Sequence, residues 1–271
     1  MNAVVKVMIA NLHEKSDSHS ELVDEALFGM PVEILEDIDE SWVKVRTFYR
    51  YEGYMLKSNF AIGTEIVTSW IADANFVVIQ SFADVLTGPE IQSDKIITLT
   101  RGAFIQIVEE AGLEPSWTKV QLVTGQFGYV RTGWIQKRVK VYTANEDLFR
   151  EQVVQTAFRY LGTPYRWGGK SPLGIDCSGL CSMAYMLNGS YIYRDANIME
   201  GFPLREIARE NLKRGDLIFF PGHVALYIGD EQYIHSSLGG NEVNVNSFNP
   251  LDDHYREDLA TTISGYGSLF S

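Results

Sequence analysis

Two segments of the N-terminal half repeat one another, and this repeat restricts the folds open to the chain. Each copy has a glycine before an alternating run, then a Ser-Trp-x-Lys-Val motif, then a Gly-Tyr pair. An insertion in the turn before Trp117 explains why the copies are spaced slightly closer at the first glycine than at the later motifs. The matching positions are Gly29 and Gly102, Trp42 and Trp117, and Gly53 and Gly128.

Apolar and polar residues alternate with a period of two in both copies, and turn residues separate the runs. This pattern predicts short antiparallel strands, and several short strands suit a small barrel that closes its own edges. The copies resemble bacterial SH3-like domains at the glycine, Ser-Trp-x-Lys-Val and Gly-Tyr positions. We predict SH3-like barrels over 1–62 and 63–141, with Trp42 and Trp117 in their cores and an extended lead-in to the second barrel over 70–90.

The C-terminal half places Cys177 directly before a helix-forming run and shortly after a glycine-rich loop over 162–174. An upstream helix is predicted to begin at Asn145, because asparagine suits the cap position. A thiolate is favoured at a helix start, where unpaired N–H groups and the helix dipole stabilise an anion. The other cysteine, Cys181, lies in an apolar stretch and is predicted to be a buried small residue.

Two downstream segments are each predicted to be a short strand that carries one histidine. His223 opens the first strand, over 223–229, and His235 lies in the second. A turn over 229–232 joins them as a hairpin, which puts both imidazoles near the same end of adjacent strands. One histidine can then act as the base toward the thiol of Cys177 while the other orients it. The remaining histidines are predicted to face solvent: His13, His19 and His254.

The composition excludes several classes of function. The formal net charge is −12, which argues against nucleic acid as a partner, because phosphate binding needs clustered lysine and arginine. It also disfavours docking on an anionic polymer or membrane. The two cysteines are too few for a disulfide framework and make a poor zinc site, so neither metal nor cofactor is predicted. The apolar start lacks a basic leader and a cleavage site, so we expect a cytoplasmic location.

The C-terminal half, over 145–271, resembles the NlpC-type cell-wall cysteine peptidases, a papain-like group. That resemblance implies Cys177 as the nucleophile, His223 as the general base and His235 as the third, orienting member. The predicted fold class is therefore α+β: two small SH3-like β-barrels followed by a papain-like α+β cysteine peptidase domain over 142–271. The motifs that carry the resemblance are G-T-P-Y-x-W-G-G at 162–169, D-C-S-G at 176–179, G-D-L-I-F-F at 215–220, H-V-A-L-Y-I-G at 223–229 and Y-I-H at 233–235.

The order of the domains narrows the resemblance. Two SH3-like domains before such a peptidase domain are similar to the gamma-D-glutamyl-L-diamino-acid endopeptidases of murein recycling. This implies a murein-derived peptide as substrate, cleaved between D-Glu and the diamino acid when its N-terminal L-Ala is free. We expect a monomer that has neither membrane nor nucleic acid as a partner.

The same resemblance implies a set of substrate-binding residues. Asp176 would hold the free amine together with a glutamate and a tyrosine of the first SH3-like domain. Glu25 is the candidate for the glutamate, and Tyr54 or Tyr51 for the tyrosine. Tyr165, Ser178 and Asp195 would line the same cleft.

Three other functions stay open from the sequence. A secreted or surface autolysin would bind wall polymer through its SH3-like copies and act on intact wall, although the acidic balance and the missing leader count against it. An amidase or acyltransferase would use the same thiol for a different reaction. A binding protein with an inactive peptidase domain is disfavoured, because all three candidate catalytic residues are present.

Overall fold

A computed structural model describes residues 1–63, 65–108, 116–142 and 145–270 of the protein. The chain forms two compact units, Met1–Arg138 and Val139–Ser271, and each is described by itself. The insertion predicted before Trp117 falls within 109–115 and lies outside the described residues. In the part of the chain that the structure describes, no helix is long and apolar enough to cross a membrane.

The first repeat copy folds into a seven-stranded antiparallel sheet. The predicted alternation is visible in its fifth strand, where Val43, Val45 and Thr47 are buried while Lys44 and Arg46 are partly exposed, because successive side chains point to opposite faces. The strands are β1 (Asn2–Val5), β2 (Ile9–His13), β3 (Leu22–Leu27), β4 (Pro31–Asp37), β5 (Trp42–Thr47), β6 (Glu52–Leu56) and β7 (Phe60–Ile62). Their order in the sheet is β3-β2-β6-β5-β4-β1-β7.

The second copy forms another seven-stranded sheet with the same strand order. Its strands are β8 (Phe76–Val78), β9 (Phe82–Leu86), β10 (Lys95–Thr100), β11 (Phe104–Ile107), β12 (Trp117–Gln121), β13 (Phe127–Arg131) and β14 (Ile135–Lys137). Their order, β10-β9-β13-β12-β11-β8-β14, repeats that of the first sheet strand for strand. The sequence repeat is therefore a repeat of topology. The domain limits at 62 and 141 stay predictions.

The repeated glycine has the same backbone role in both copies. Gly29 and Gly102 have φ of +78° and +93°, in the left-handed region that glycine enters without steric cost. Gly29 also lies where the two copies meet, since a Cβ there would be 2.3 Å from the carbonyl oxygen of Phe104. The backbone N–H of Phe104 donates to the carbonyl of Phe28 at 2.8 Å. Glycine is required at this junction for both reasons.

The connection between the copies differs from its prediction. An extended lead-in was expected over 70–90, but its first residues, 70–73, end a helix, α1 (Glu65–Asp73). The extended part of this segment consists of β8 and β9 of the second sheet. Trp70 of this helix is fully buried, and its indole Nε1–H donates to the carbonyl of Gly29 at 2.9 Å. A buried indole needs such an acceptor, so this bond, together with the edge-on contact between the Trp70 and Phe28 rings at 5.9 Å, anchors the helix to the first copy.

Two aromatic predictions in this unit also need correction. Trp42 is buried as predicted, but Trp117 is only half-buried. The guanidinium of Arg131 lies 4.2 Å from the Trp117 ring centre, a cation–π contact that tolerates solvent. His13 was expected to face solvent, but it is buried with its ring edge-on to Trp42 at 5.5 Å.

The second unit packs two helices against an antiparallel sheet. α3 contacts α2 and two strands of the sheet, β19 and β20, and every residue of α3 is buried. The helices are α2 (Glu146–Phe158), α3 (Cys177–Met186) and α4 (Glu257–Ala260). A two-stranded ribbon, β15 (Lys170–Ser171) and β16 (Gly174–Ile175), precedes α3. The sheet contains β17 (Arg205–Ile207), β18 (Leu217–Phe220), β19 (His223–Gly229), β20 (Gln232–Ser237), β21 (Glu242–Ser247) and β22 (Gly265–Ser268), in the order β17-β22-β18-β19-β20-β21.

The elements that carry the candidate residues form where the sequence predicts them. Asn145 caps α2, since its Oδ1 accepts a hydrogen bond from the N–H of Leu148 at 2.9 Å. β19 and β20 form the predicted hairpin, and its turn contains Gly229, Asp230 and Glu231 with positive φ. The two strands that carry His223 and His235 are therefore adjacent, and both lie against α3.

Candidate active site

Cys177 is the first residue of α3, and the preceding Asp176 fixes this helix start. Asp176 has an extended backbone with φ of −94°, and its Oδ1 accepts a hydrogen bond from the N–H of Gly179 at 2.6 Å. An aspartate in this position satisfies one of the unpaired donors of the first turn. Cys177 is buried, and the backbone N–H groups of Val224 and Ser178 lie against its sulfur. Because Val224 follows His223 in β19, the thiol lies beside the strand that carries the histidine.

Burial dominates the electrostatics of the thiol. Removal from water raises the pKa of Cys177 to about 11, and the Asp176 carboxylate adds to the rise, while the N–H groups of Val224 and Ser178 lower it. The helix terminus therefore stabilises the anion by less than desolvation destabilises it. The sequence favoured a thiolate at this position. Burial favours the thiol instead, and a thiol must lose its proton as the sulfur attacks.

The two histidines are hydrogen-bonded to one another. Nε2 of His223 lies 2.8 Å from Nδ1 of His235, and their rings meet edge-to-face with centres 5.0 Å apart. Burial lowers the pKa of His223 to about 3 and that of His235 to about 4. Both imidazoles are therefore neutral at neutral pH. The predicted juxtaposition of the two rings on adjacent strands is confirmed.

Asn246 of β21 extends this pair, and no sequence pattern predicted it. Its Oδ1 lies 2.8 Å from Nε2 of His235, and its Nδ2 donates to the carbonyl of His254 at 3.0 Å. We call His223, His235 and Asn246 the histidine relay. Alternate asparagines in a strand are typical of a solvent-facing side, so the sequence gives no signal that one of them reaches a buried imidazole.

A second polar group, here called the charged cluster, consists of Asp176, Ser178 and Arg194. Arg194 is almost fully buried, and its two terminal nitrogens each lie 3.0 Å from one oxygen of the Asp176 carboxylate. It also donates to Oγ of Ser178 at 2.7 Å. The N–H of Gly168 donates to the second Asp176 oxygen at 2.8 Å. The charged cluster thus ties the glycine-rich loop to the start of α3.

Tyr165, Ser178 and Asp195 were predicted to line one cleft, and the structure brings Ser178 and Asp195 to one pocket while Tyr165 lies near Cys177. The pocket that Ser178 and Asp195 line is small, and Cys181 and Val224 line it too. Tyr165 is half-buried; burial raises its pKa to about 12, and the nearby Cys177 thiol adds to the rise. Asp195 is exposed and accepts a hydrogen bond from the Tyr193 hydroxyl.

The remaining candidates, Glu25 and Tyr54, belong to the first unit. Glu25 is fully buried on β3, beside Asp24, whose carboxylate accepts a hydrogen bond from the buried Tyr49 hydroxyl. Tyr54 is half-buried on β6, opposite Lys44 in the register. The part of these two residues in substrate binding stays a prediction. Among the described residues, no group of three or more His, Cys, Asp or Glu side chains is arranged to hold a metal ion.

A buried cysteine at the start of a helix, packed on a strand that carries one of two hydrogen-bonded histidines, defines a papain-like thiol peptidase. Comparison with known families agrees with this class. The family described as NlpC/P60 matches residues 162–259, and the family described as bacterial SH3 domain matches residues 9–61 and 81–136. This chain belongs to the NlpC/P60 family and is a cysteine peptidase with two SH3-like domains.

The chain is similar to several characterised proteins. It is 56% identical to Dipeptidyl-peptidase 6 of Lysinibacillus sphaericus over 100% of both chains. It is 30% identical to the Gamma-D-glutamyl-L-lysine dipeptidyl-peptidase of Bacillus subtilis over 53% of this chain and 49% of that protein. An NlpC/P60 family protein from Bacillus cereus has the same fold, with a TM-score of 0.81 over 98% of both chains at 21% identity. The predicted α+β fold class is confirmed.

Proposed function

We propose that this protein hydrolyses the bond between D-Glu and the diamino acid in murein-derived peptides whose N-terminal L-Ala is free. The observation that carries the proposal is Cys177, buried at the start of α3 against the strand of the hydrogen-bonded His223 and His235. The names of two relatives, Dipeptidyl-peptidase 6 and Gamma-D-glutamyl-L-lysine dipeptidyl-peptidase, support the choice of bond.

In the proposed mechanism the sulfur of Cys177 attacks the gamma-carbonyl carbon of D-Glu. Nε2 of His223 is engaged with His235, so Nδ1 of His223 takes the thiol proton. The backbone N–H groups of the first turn of α3 can stabilise the oxyanion. The imidazolium then returns its proton to the departing amine of the diamino acid, which leaves an acyl thioester on Cys177. Water, deprotonated by the same imidazole, releases the dipeptide and restores the thiol.

We further propose that a free amine is required because the site supplies acceptors for an ammonium group. Asp195 and Ser178 line one small pocket, and we propose that Asp195 supplies a carboxylate to the amine. Both oxygens of Asp176 already accept hydrogen bonds from Arg194, so in this proposal Asp176 acts on the amine mainly through its charge. Glu25 and Tyr54 are the further partners proposed from the first barrel. Buried acceptors reject a blocked amine strongly, because they would be left unpaired.

This requirement favours released fragments over intact wall, in which the amine of the N-terminal L-Ala is linked to sugar and is not free. We therefore propose a role in recycling murein peptides, in the cytoplasm and as a monomer. The net charge of −12 supports this over an autolysin that docks on anionic wall polymer. The autolysin is the second candidate, and the two SH3-like domains favour it, since such domains can bind polymer.

Product identification tests the proposal. The wild type is incubated with L-Ala-gamma-D-Glu-L-Lys, its diaminopimelate counterpart, both N-acetylated forms and purified murein sacculi. We expect L-Ala-D-Glu and the free diamino acid from the unblocked peptides alone. Cys177→Ala is expected to release no product while its unfolding midpoint stays close to that of the wild type. Release from sacculi comparable to that from free peptide would support the autolysin, and wild-type turnover by the variant would remove the assignment of the nucleophile.

A second test addresses the first barrel. Glu25→Gln removes a buried carboxylate, and we expect KM for the free peptide to rise by about 10- to 100-fold, because hydrogen bonds to charged groups contribute about 1.5–3 kcal/mol. Glu33→Gln is the matched control, since it makes the same charge change on an exposed side chain of the same barrel, paired with Arg46. Equal KM values for the two variants would show that Glu25 has no part in binding the amine.

A further inference from the structure

We infer that Asn246 is a positioning residue of the peptidase: it sets the tautomers of both histidines so that Nδ1 of His223 faces the thiol as a base. The inference rests on the proposed function for its catalytic consequence. Its structural content is the run of hydrogen bonds from Asn246 through His235 to His223. Each bond in the run restricts where the next hydrogen atom can lie.

The orientation of the Asn246 amide is fixed by its second hydrogen bond. Its Nδ2 donates to the carbonyl oxygen of His254 at 3.0 Å. A flipped amide would place Oδ1 against that carbonyl, so two acceptors would face one another. The amide oxygen must therefore point toward His235.

The tautomer of His235 follows from this orientation. Oδ1 of Asn246 can only accept, so Nε2 of His235, at 2.8 Å, must carry a hydrogen. A neutral imidazole has a single N–H, and burial keeps His235 neutral by lowering its pKa to about 4. Nδ1 of His235 is consequently an acceptor.

The same reasoning applies to the next bond. Nδ1 of His235 accepts, so Nε2 of His223, at 2.8 Å, carries the hydrogen of that ring. Nδ1 of His223 then has an available lone pair and can take the proton of the Cys177 thiol. In the opposite arrangement Nδ1 of His235 would donate, Nδ1 of His223 would carry the hydrogen, and the ring would present no base to the sulfur.

Further hydrogen bonds fix the position of His254, whose carbonyl orients Asn246. The carbonyl of His254 also accepts from the N–H of Ser247 at 3.0 Å. The N–H of His254 donates to Asp252 at 2.9 Å, and the other oxygen of Asp252 accepts from Gln232 of β20 at 3.0 Å. The loop after β21 is thus tied back to the strand that carries His235. Asn246 has a fixed anchor on one side and the imidazole on the other.

The experiment compares Asn246→Leu and Asn246→Asp with the wild type. Leucine removes the Asn246 acceptor, while the Asn244 side chain, which also contacts His235, is kept in all variants. Both tautomers of His235 then become populated, and we expect kcat to fall by about 100-fold or more, since a wrong tautomer in a catalytic triad is highly damaging. KM should stay within about two-fold, because Asn246 contacts histidine and not substrate. Aspartate keeps an acceptor for Nε2 but has no N–H for the carbonyl of His254. We therefore expect kcat to recover only in part, to a value between those of the leucine variant and the wild type, with the acidic limb of kcat/KM moved to higher pH.

Asn249→Ala is the matched control. It also removes one hydrogen bond from an asparagine Oδ1, the one that Leu251 donates at 3.0 Å, and it lies in the same segment of chain. We expect its kcat to equal that of the wild type. An Asn246→Leu variant with unchanged kcat, or leucine and aspartate variants that lose activity equally, would overturn the inference.

Nitrogen-15 NMR of the histidine rings gives a readout that needs no substrate. In the wild type and in Asn246→Asp we expect both rings to carry their hydrogen on Nε2, and in Asn246→Leu a mixture. Should the wild type fail to cleave the gamma-D-glutamyl peptide, the proposed function fails while the tautomer spectra still decide the role of Asn246. Should Asn246→Leu not fold, the wild-type tautomers and the aspartate variant decide it: a wild-type hydrogen on Nδ1 of either ring contradicts the inference.

Discussion

The charged cluster and the histidine relay both lie beside Cys177, but they are built from opposite kinds of groups. The charged cluster joins a buried guanidinium to a carboxylate, and both carboxylate oxygens accept hydrogen bonds. The histidine relay contains two imidazoles that burial keeps neutral, and the proposed mechanism uses Nδ1 of His223 as the base. The difference indicates that the charged cluster holds the nucleophile in place while the histidine relay moves its proton.

This division follows from the energetics of burial. A buried charge is tolerated only when it is paired and hydrogen-bonded, and such a group resists any change of protonation. A neutral imidazole can accept a proton at the moment of reaction. Stability should therefore depend mainly on the charged cluster and turnover mainly on the histidine relay.

The largest expected effect is on turnover and concerns the base. His223→Ala should lower kcat by about 10²- to 10⁴-fold, the range that a positioned general base contributes. Its free energy of unfolding should change by no more than about 1–2 kcal/mol. Steady-state kinetics on the free peptide and denaturation by urea give the two numbers. An unfolded variant, or one that retains more than a tenth of wild-type turnover, would contradict the division of roles between the charged cluster and the histidine relay.

The largest expected effect on stability concerns Arg194. Arg194→Met leaves the Asp176 carboxylate without its counter-ion, and removing one partner of a buried pair costs about 3–5 kcal/mol. Arg209→Met is the matched control, because Arg209 forms an exposed ion pair with Glu231 at 3.7 Å, and such pairs contribute about 0–1 kcal/mol. Urea denaturation followed by tryptophan fluorescence measures both. Equal losses for the two variants would show that the charged cluster does not hold this unit together.

The histidine relay also predicts how stability depends on pH. The pKa values of His223 and His235, about 3 and about 4, lie below the 6.5 of an ordinary imidazole. Between about pH 6.5 and 4 the unfolded chain therefore binds more protons than the folded protein, and the free energy of unfolding falls as the pH drops. Each histidine contributes up to about 1.4 kcal/mol per pH unit in this window.

A double variant isolates this contribution from that of the carboxylates. His223→Gln/His235→Gln removes both imidazoles but keeps every acid, as well as the Arg256–Asp258 pair whose charges act on His235 with opposite signs. We expect its free energy of unfolding to fall less steeply between pH 6.5 and 4 than that of the wild type. Identical slopes would mean that folding does not lower the pKa values of the two histidines.

The smallest expected effect concerns Cys181, which belongs to neither the charged cluster nor the histidine relay. It is buried one turn after Cys177, and burial raises the pKa of its thiol well above the ordinary value. Cys181→Ala should keep kcat within about two-fold and lower the free energy of unfolding by about 1 kcal/mol, the usual effect of a small core deletion. Alkylation with iodoacetamide should modify Cys177 alone in the wild type. Rapid alkylation of Cys181 would show that the second thiol is accessible and must enter the mechanism.

Much of the architecture could be predicted because the signals were local. The repeated Gly29 and Gly102 positions fixed two related sheets, and the hairpin that carries His223 and His235 was evident from two short strands around a tight turn. The surroundings of Trp70 and Trp117 were harder to predict. Trp70 bonds to Gly29 and Trp117 contacts Arg131, and neither partner is a neighbour in sequence. Helix α1 was missed for the same reason.

The candidate site divides in a similar way. Cys177, His223 and His235 stood out because each opens or occupies a recognisable element. Asn246 did not stand out, because β21 reaches His235 only through its register with β20. The partners of Arg194 did not stand out either, because Arg194 reaches Asp176 from a separate segment of the chain. The expected preference for a thiolate stays a prediction, because sequence shows the helix start but not the depth of burial that raises the pKa of Cys177.

One measurement tests the central claim that Cys177 attacks the gamma-carbonyl of D-Glu. The wild type is mixed with L-Ala-gamma-D-Glu-L-Lys, quenched in acid within milliseconds, digested and analysed by mass spectrometry. We predict that the peptide containing Cys177 gains the mass of L-Ala-D-Glu less one water, and that the adduct is absent from Cys177→Ala. Full turnover of the substrate with no adduct on Cys177 at any quench time, together with turnover by the variant, would contradict the account.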